Sequence, residues 1–175
     1  DSKGDGIGDL KGIISKLPYI KSLGINAIWL SPIYKSPFVD NGYDISDYMD
    51  IDPRFGTMDD FREYLDKCHE LGINVIMDLV VNHTSNQHKW FIESSSSKDN
   101  PYSDYYIWRD QPNNWAASFG GSAWTYSERR GQYYLHLFSE GQPDLNWKSE
   151  KVQKEIFSMI DWWCRLGVDG FRVDA

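Results

Sequence analysis

One phrase occurs three times along the chain: SLGINAIWLS from Ser22, ELGINVIMDLVVNH from Glu70 and RLGVDGFRVDA from Arg165. Each sets Leu-Gly before a β-branched residue, then Asn or Asp, then an apolar run. Gly just past a helix accepts the left-handed conformation that ends it, and a short apolar run is what a strand buried on both faces looks like. The phrase is a helix-stop, strand-start joint. The segments upstream agree. Thr57 opens a capping pattern with Asp60, and Phe61, Tyr64, Leu65, Cys68 and Leu71 follow at helical spacing. Val152, Ile156, Met159, Ile160 and Trp163 repeat that spacing before the third joint. Leu10, Ile13, Ile14 and Leu17 mark the first helix, which is predicted to kink or break at Pro18, a residue with no donor for the ladder. The order αβαβαβ predicts a parallel sheet with helical crossovers.

The Leu-Gly pairs begin at positions 23, 71 and 166, so the second interval is about twice the first. The excess lies between Thr84 and Asn146, a stretch rich in Ser, Asn, Gly and aromatic residues with no sustained helical period and one alternating run, QYYLHLF. It is predicted to be a small β-containing subdomain, residues 84–146, set between two barrel segments, 1–83 and 147–175. Such an insertion suits a β/α barrel, whose strand-to-helix loops open on one functional face.

A net charge of −8 and a pI near 4.9, without a dense Lys/Arg cluster, argue against nucleic acid as a partner. Nothing in the sequence reads as a membrane span. Cys68 and Cys164 both fall at apolar helical positions and are expected as buried free thiols, which suits a reducing, cytoplasmic setting. The first residue is Asp1 rather than Met, and neither end tapers into polar residues, so the chain is expected to be a piece of a longer protein.

Barrel chemistry sits at strand C-termini, which here read DLVVNH and FRVDA. Arg172 and Asp174, two apart on a strand, face the same side, and a guanidinium beside a carboxylate favours its ionised form. The pair has two readings: a catalytic carboxylate with its orienting Arg, or a structural brace. His83 likewise is either functional or simply a strand-end histidine. The loop FVDNGYDISDY lies on the same face and can bring Asp40 and Tyr43 beside them. Carboxylates, His, Arg and aromatic rings together are the means by which proteins hold sugars.

The opening DSKGDGIGD has carboxylates at Asp1, Asp5 and Asp9, and a backbone carbonyl at Ile7, in the manner of a hard-cation loop. The sequence argues against an EF-hand, because Gly12 and Ile13 stand where the bidentate Glu is needed. Lys3 stands where an oxygen ligand is expected, so either the loop holds Ca2+ or the Lys3 ammonium replaces part of a metal's charge.

DGIGDLKGI, INAIWLSPIYKSP, DNGYDISDY, DLVVNHTS, QPDLNW and GFRVDA, in this order, resemble the α-amylase family of glycoside hydrolases, family 13, and within it the oligo-1,6-glucosidase and α-glucosidase group. The resemblance implies an incomplete (β/α)8 TIM barrel, about strands two to four, with the subdomain inserted after strand three. It implies Asp174 as nucleophile, Arg172 as the residue that orients it, and Asp40, Tyr43 and His83 as the group holding a terminal glucose, with Tyr43 stacked beneath the ring. Asp78 is implied as a brace inside the barrel, Asp144 as a structural residue at the subdomain exit, and residues 1–9 as the family's calcium-type loop, altered at Lys3. No cofactor is implied for the chemistry, and the substrate is a short oligosaccharide. A retaining glycosidase needs two carboxyl groups about 5–5.5 Å apart, a nucleophile and an acid. This sequence matches the first and lacks the second.

The implied function is therefore part of an exo-acting, retaining α-glucosidase. A glucosyl transferase or sucrose isomerase of the same family would share these residues. A rival of another class is the non-catalytic, glucosidase-like ectodomain of an amino-acid transporter heavy chain, against which the complete set Asp40, Tyr43, His83, Arg172 and Asp174 argues. A metal-dependent barrel hydrolase lacks a second His at ligand spacing. In the resembling group Val after the nucleophile accompanies α-1,6 specificity, and Ala or Thr accompanies α-1,4. Ala175 therefore points to α-1,4 bonds.

Overall fold

The computed structural model describes residues 1–175. In chain order the elements are α1 (Leu10–Ser22), β1 (Ala27–Trp29), β2 (Tyr34–Lys35), β3 (Asp47–Ile51), α2 (Met58–Glu70) and β4 (Asn74–Val80). They continue with α3 (Lys89–Ser94), β5 (Trp108–Arg109), β6 (Trp124–Ser127), β7 (Gln132–Leu135), α4 (Glu150–Leu166) and β8 (Gly170–Asp174). The three joints behave as expected. Gly24, Gly72 and Gly167 take φ of 82°, 65° and 122° behind α1, α2 and α4, and β1, β4 and β8 follow them. These strands form one parallel sheet in the order β1-β4-β8.

Thr57 and Asp60 close a reciprocal capping box on α2, which buries Phe61, Tyr64, Leu65 and Cys68. Helix α4 buries Val152, Ile156, Met159 and Trp163. Trp163 is the centre of the layer between helices and sheet: its ring meets Phe61 at 5.4 Å and Tyr34 at 5.6 Å, and its indole N–H donates to the Tyr48 carbonyl at 2.8 Å. The β2–β3 hairpin, paired antiparallel, in turn grips the end of β4. Tyr34 Oη donates to the Asp78 carbonyl at 2.6 Å, and Tyr48 Oη lies within 2.8 and 3.0 Å of the Val80 and His83 carbonyls.

Three expectations change. Helix α1 runs unbroken through Pro18. Pro18 is exposed, so the missing ladder bond falls on the solvent side, while buried Leu10 and Leu17 hold the helix on the core. Cys68 is buried but Cys164 is exposed, on the outer face of α4; both are free thiols. Burial on both faces holds for β4 alone, because β1 and β8 are the sheet's edges and leave Trp29 and Val173 48% and 66% exposed.

Between β4 and α4 the chain forms its own antiparallel sheet, β5-β7-β6, with the QYYLHLF run supplying β7. This region does not build a separate large core. Phe91, Tyr105, Tyr106, Trp108 and Tyr134 join the same apolar cluster as the parallel sheet and its helices, and only Ala123, Trp124 and Leu135 form a minor one. No helix is long and apolar enough to cross a membrane.

Candidate active site

Strand register creates the centre of the site. Asp78 on β4 pairs with Arg172 on β8, and Val80 pairs with Asp174, so the three polar side chains rise together at the C-terminal ends of neighbouring strands. A single guanidinium nitrogen joins them: Arg172 Nη1 lies 3.1 and 2.9 Å from the Asp78 oxygens and 2.7 Å from Asp174 Oδ1. Asp78 is buried and also accepts the Trp29 indole N–H and the Tyr43 hydroxyl, both at 3.1 Å. The Arg172 guanidinium lies 5.3 Å from the centre of the Trp29 ring. Burial nevertheless keeps the Asp78 carboxyl above its ordinary range, with Arg172 and Tyr43 pulling the other way. The Arg172 guanidinium is held more firmly protonated than usual, since Asp78 and Asp174 outweigh its desolvation. Asp174 is bonded through Oδ1 alone, which leaves Oδ2 open.

A second group forms where the loop after β2 meets the end of the inserted region. Buried Asp44 folds that loop: its carboxylate accepts the backbone N–H groups of Val39 (2.9 Å) and Asp40 (3.0 Å). The turn Asp40–Tyr43 closes through Tyr43 N–H to the Asp40 carbonyl at 2.9 Å, and it needs Gly42 at φ 95°, where a Cβ would meet the Pro32 carbonyl at 3.0 Å. His83 Nε2 contacts the Tyr43 carbonyl at 3.1 Å, and Asn82 Nδ2 contacts His83 Nδ1 at 3.2 Å and Asp144 at 3.3 Å. The Asn82 amide donates to Nδ1, so the network assigns the proton to Nε2, which donates to Tyr43. Burial lowers the His83 pKa, against the raising influence of the Tyr43 carbonyl, Asp174 and Asp40, and the ring is neutral at pH 7. Asp144 bridges back to His83 through the backbone and accepts the Leu137 N–H at 2.9 Å; its own burial raises it to about 6.

Asp40, Tyr43, His83, Asp78, Arg172 and Asp174 are thus gathered on one face. The sequence reading passed over Trp29, Asp44, Asn82 and Gln142. Each stands inside a quoted motif, but an apolar run gives no sign that its Trp will donate to a carboxylate 49 residues away. The largest cavity, about 610 Å³, lies elsewhere, between the β5-β7-β6 sheet and residues 144–148, lined by Trp108, Arg130, Asp144 and Trp147 among others.

The opening loop does not gather its carboxylates. Asp1 accepts the N–H groups of Gly4, Asp5 and Gly6, Asp5 accepts that of Ile7, and Asp9 accepts those of Ser2 and Gly12. Lys3 does not take a metal's place among them: its ammonium reaches out of the loop to the Arg54 carbonyl at 3.2 Å. Nowhere do three His, Cys, Asp or Glu side chains converge as a metal site would require. As arranged, these donors do not fit a calcium ion.

A parallel sheet crossed by helices, with an Arg and carboxylates gathered at strand ends and fed by the following loops, is the arrangement of an α/β-barrel enzyme. The family model described as Alpha amylase, catalytic domain matches residues 1–175, and the chain belongs to that family. It is 61% identical over 180 residues to an oligo-1,6-glucosidase of Parageobacillus thermoglucosidasius, covering 100% of this chain and 32% of that protein. It is 56% identical over 175 residues to a glucan 1,6-alpha-glucosidase of Streptococcus pneumoniae, covering 100% of this chain and 33% of that one. The solved trehalose-6-phosphate hydrolase of Bacillus licheniformis matches with a TM-score of 0.98 at 54% identity, over 99% of this chain and 32% of that chain. The trehalulose synthase of Pseudomonas mesoacidophila matches with a TM-score of 0.97 at 51% identity, with the same coverage. The chain thus spans about a third of the length of the relatives it matches.

Proposed function

We propose that this chain is the nucleophile-bearing portion of a longer, retaining, exo-acting α-glucosidase that removes terminal α-linked glucose from short oligosaccharides. The observation that carries the reading is Arg172 Nη1 set between buried Asp78 and Asp174, with Asp174 Oδ2 left free. The guanidinium holds Asp174 aimed; its free oxygen attacks the anomeric carbon and forms a glycosyl ester, as a retaining mechanism requires. The leaving oxygen takes its proton from a general acid outside these residues, and water later releases the sugar with net retention. Asp40, His83 and Tyr43 close on the terminal sugar, with Tyr43 beneath its ring. Asp78 acts as a brace, because its oxygens are taken up by Arg172, Tyr43 and Trp29.

The relatives' threefold greater length and the two open sheet edges support a parent barrel that continues this sheet. In that barrel residues 1–83 and 147–175 belong to the catalytic domain and 84–146 to an inserted subdomain. The free thiols suit a cytoplasmic parent. Purified alone, the 175-residue chain is expected to release no glucose from maltose or isomaltose, whereas the parent does and its Asp174→Asn variant does not. Activity of the isolated chain above that of its own Asp174→Asn variant would refute this assignment of roles.

The relatives' names speak of 1,6 bonds. Ala175, beside the nucleophile, supports a second reading in which α-1,4 bonds are preferred. A β-branched side chain there would fill space a directly linked ring needs, and one or two methyl-sized groups shift preference by about 10- to 200-fold. On that reading the parent has the higher kcat/KM on maltose, and Ala175→Val lowers the maltose-to-isomaltose ratio. A parent preferring isomaltose sinks it.

A further inference from the structure

Gln142 is 1% exposed and lies 102 residues from Asp40 in sequence, yet its amide nitrogen donates to Asp40 Oδ2 at 2.9 Å. The same nitrogen lies 3.3 Å from the Tyr43 carbonyl and 3.2 Å from His83 Nε2. With the His83 proton on Nε2, that last contact sets donor against donor, so the two amide hydrogens go to Asp40 and Tyr43. The amide oxygen accepts the Ser139 hydroxyl at 2.9 Å. Turning the amide over would face an oxygen with the Asp40 carboxylate and the Tyr43 carbonyl, so Ser139 and its partners define one orientation.

The backbone leaves Gln142 little room to drift. Its N–H donates to the Ser139 carbonyl, Thr84 N–H donates to Pro143, and Leu145 N–H donates to Asn82, which ties the end of the inserted region to the strand end that carries His83. Asp44 has already fixed the backbone of Asp40 from the loop side. What remains free in Asp40 is the rotation of its carboxylate, and the Gln142 amide is the only side chain that bonds it.

We propose that Gln142 is a positioning residue for Asp40: its amide, oriented by Ser139, turns the Asp40 carboxylate toward the terminal sugar and holds the Tyr43 carbonyl beside His83. The inserted region thereby sets how tightly the pocket grips its substrate. This rests on the glucosidase reading above, with Asp40 as a sugar ligand. It differs from a merely structural stitch, in which Gln142 would stabilise the fold and leave Asp40 to act alone.

The test is a double-mutant cycle in the full-length parent, with Asp40→Asn, Gln142→Met and their combination measured on maltose and isomaltose. Gln142→Met keeps the length and removes the amide, and is expected to lower kcat/KM by about 10- to 100-fold, the scale of a misplaced binding group. If Gln142 acts through Asp40, the double variant matches Asp40→Asn alone within about twofold. Gln142→Glu supplies a second readout. Its neutral carboxyl can donate to Asp40 but its ionised form repels it, so kcat/KM is expected to recover toward wild type in acid and to fall as pH rises. Losses that add in the double variant, or a Gln142→Glu profile parallel to wild type, would overturn the proposal even if melting temperatures fall. A wild-type parent without glucosidase activity would instead bring down the functional reading on which it stands.

Discussion

Replacing Asp78 with Asn separates the brace from the charge it carries. Oδ2 of Asp78 receives Trp29, Tyr43 and Arg172, whereas Oδ1 receives Arg172 alone. Asn can keep its oxygen at the first position, which preserves the crowded side and turns an NH2 toward Arg172 Nη1. One charge-assisted hydrogen bond is lost, worth about 1.5–3 kcal/mol in a buried setting. Arg172 is 44% exposed at its side chain and can turn toward water, which reduces that to about 1–2 kcal/mol. The variant also escapes the cost of ionising a carboxyl that burial holds above its ordinary pKa, so the net loss of stability is about 1 kcal/mol or less. Activity is expected to suffer more. Arg172 released on one side no longer aims Asp174, and a misplacement of this kind costs about 100-fold in kcat/KM, or about 2.7 kcal/mol. Urea denaturation and steady-state kinetics on the parent enzyme measure the two together. Wild-type kcat/KM in the Asn variant would refute the bracing argument. A stability loss of about 3–5 kcal/mol would refute the discount for exposure, since that is the mark of a buried charge left without its partner.

Asp144, raised by burial from 3.8 to about 6, binds its proton more tightly folded than unfolded, so its ionisation erodes stability as pH rises from about 4 through about 6. Asp144→Asn still accepts the Leu137 N–H and is expected to melt higher than wild type at pH 8 but not at pH 4, the gap approaching about 3 kcal/mol; a gap independent of pH would contradict this. Trp163→Ala removes a fully buried ring and the donor to Tyr48, and urea unfolding should show a loss of about 3–5 kcal/mol; under about 1 kcal/mol would mean a loosely packed layer. Calcium or a chelator is expected to leave the parent's melting temperature unchanged, because backbone N–H groups already occupy Asp1 and Asp9. A ligand bound only by the native state must raise that temperature, so clear stabilisation by calcium would overturn the arrangement of the loop.

The sequence by itself determined what is local or strictly periodic. The Leu-Gly joints name the three strand starts because a left-handed residue after a helix is a property of a few neighbouring atoms, and Thr57 with Asp60 closes its cap within one turn. Arg172 and Asp174 had to share a face because a strand alternates every second residue. Pro18 shows the limit of local rules: the core contacts of Leu10 and Leu17 outweigh one missing hydrogen bond. Only the tertiary structure decided that Arg172 stands opposite Asp78, since parallel register depends on how two distant strands pack. It also decided that Lys3 turns to Arg54 rather than to its own loop, and that Gln142 reaches Asp40 across 102 residues. Contacts of that kind carry no periodic signal, because each is chosen by the shape of a surface that exists only after the chain has folded.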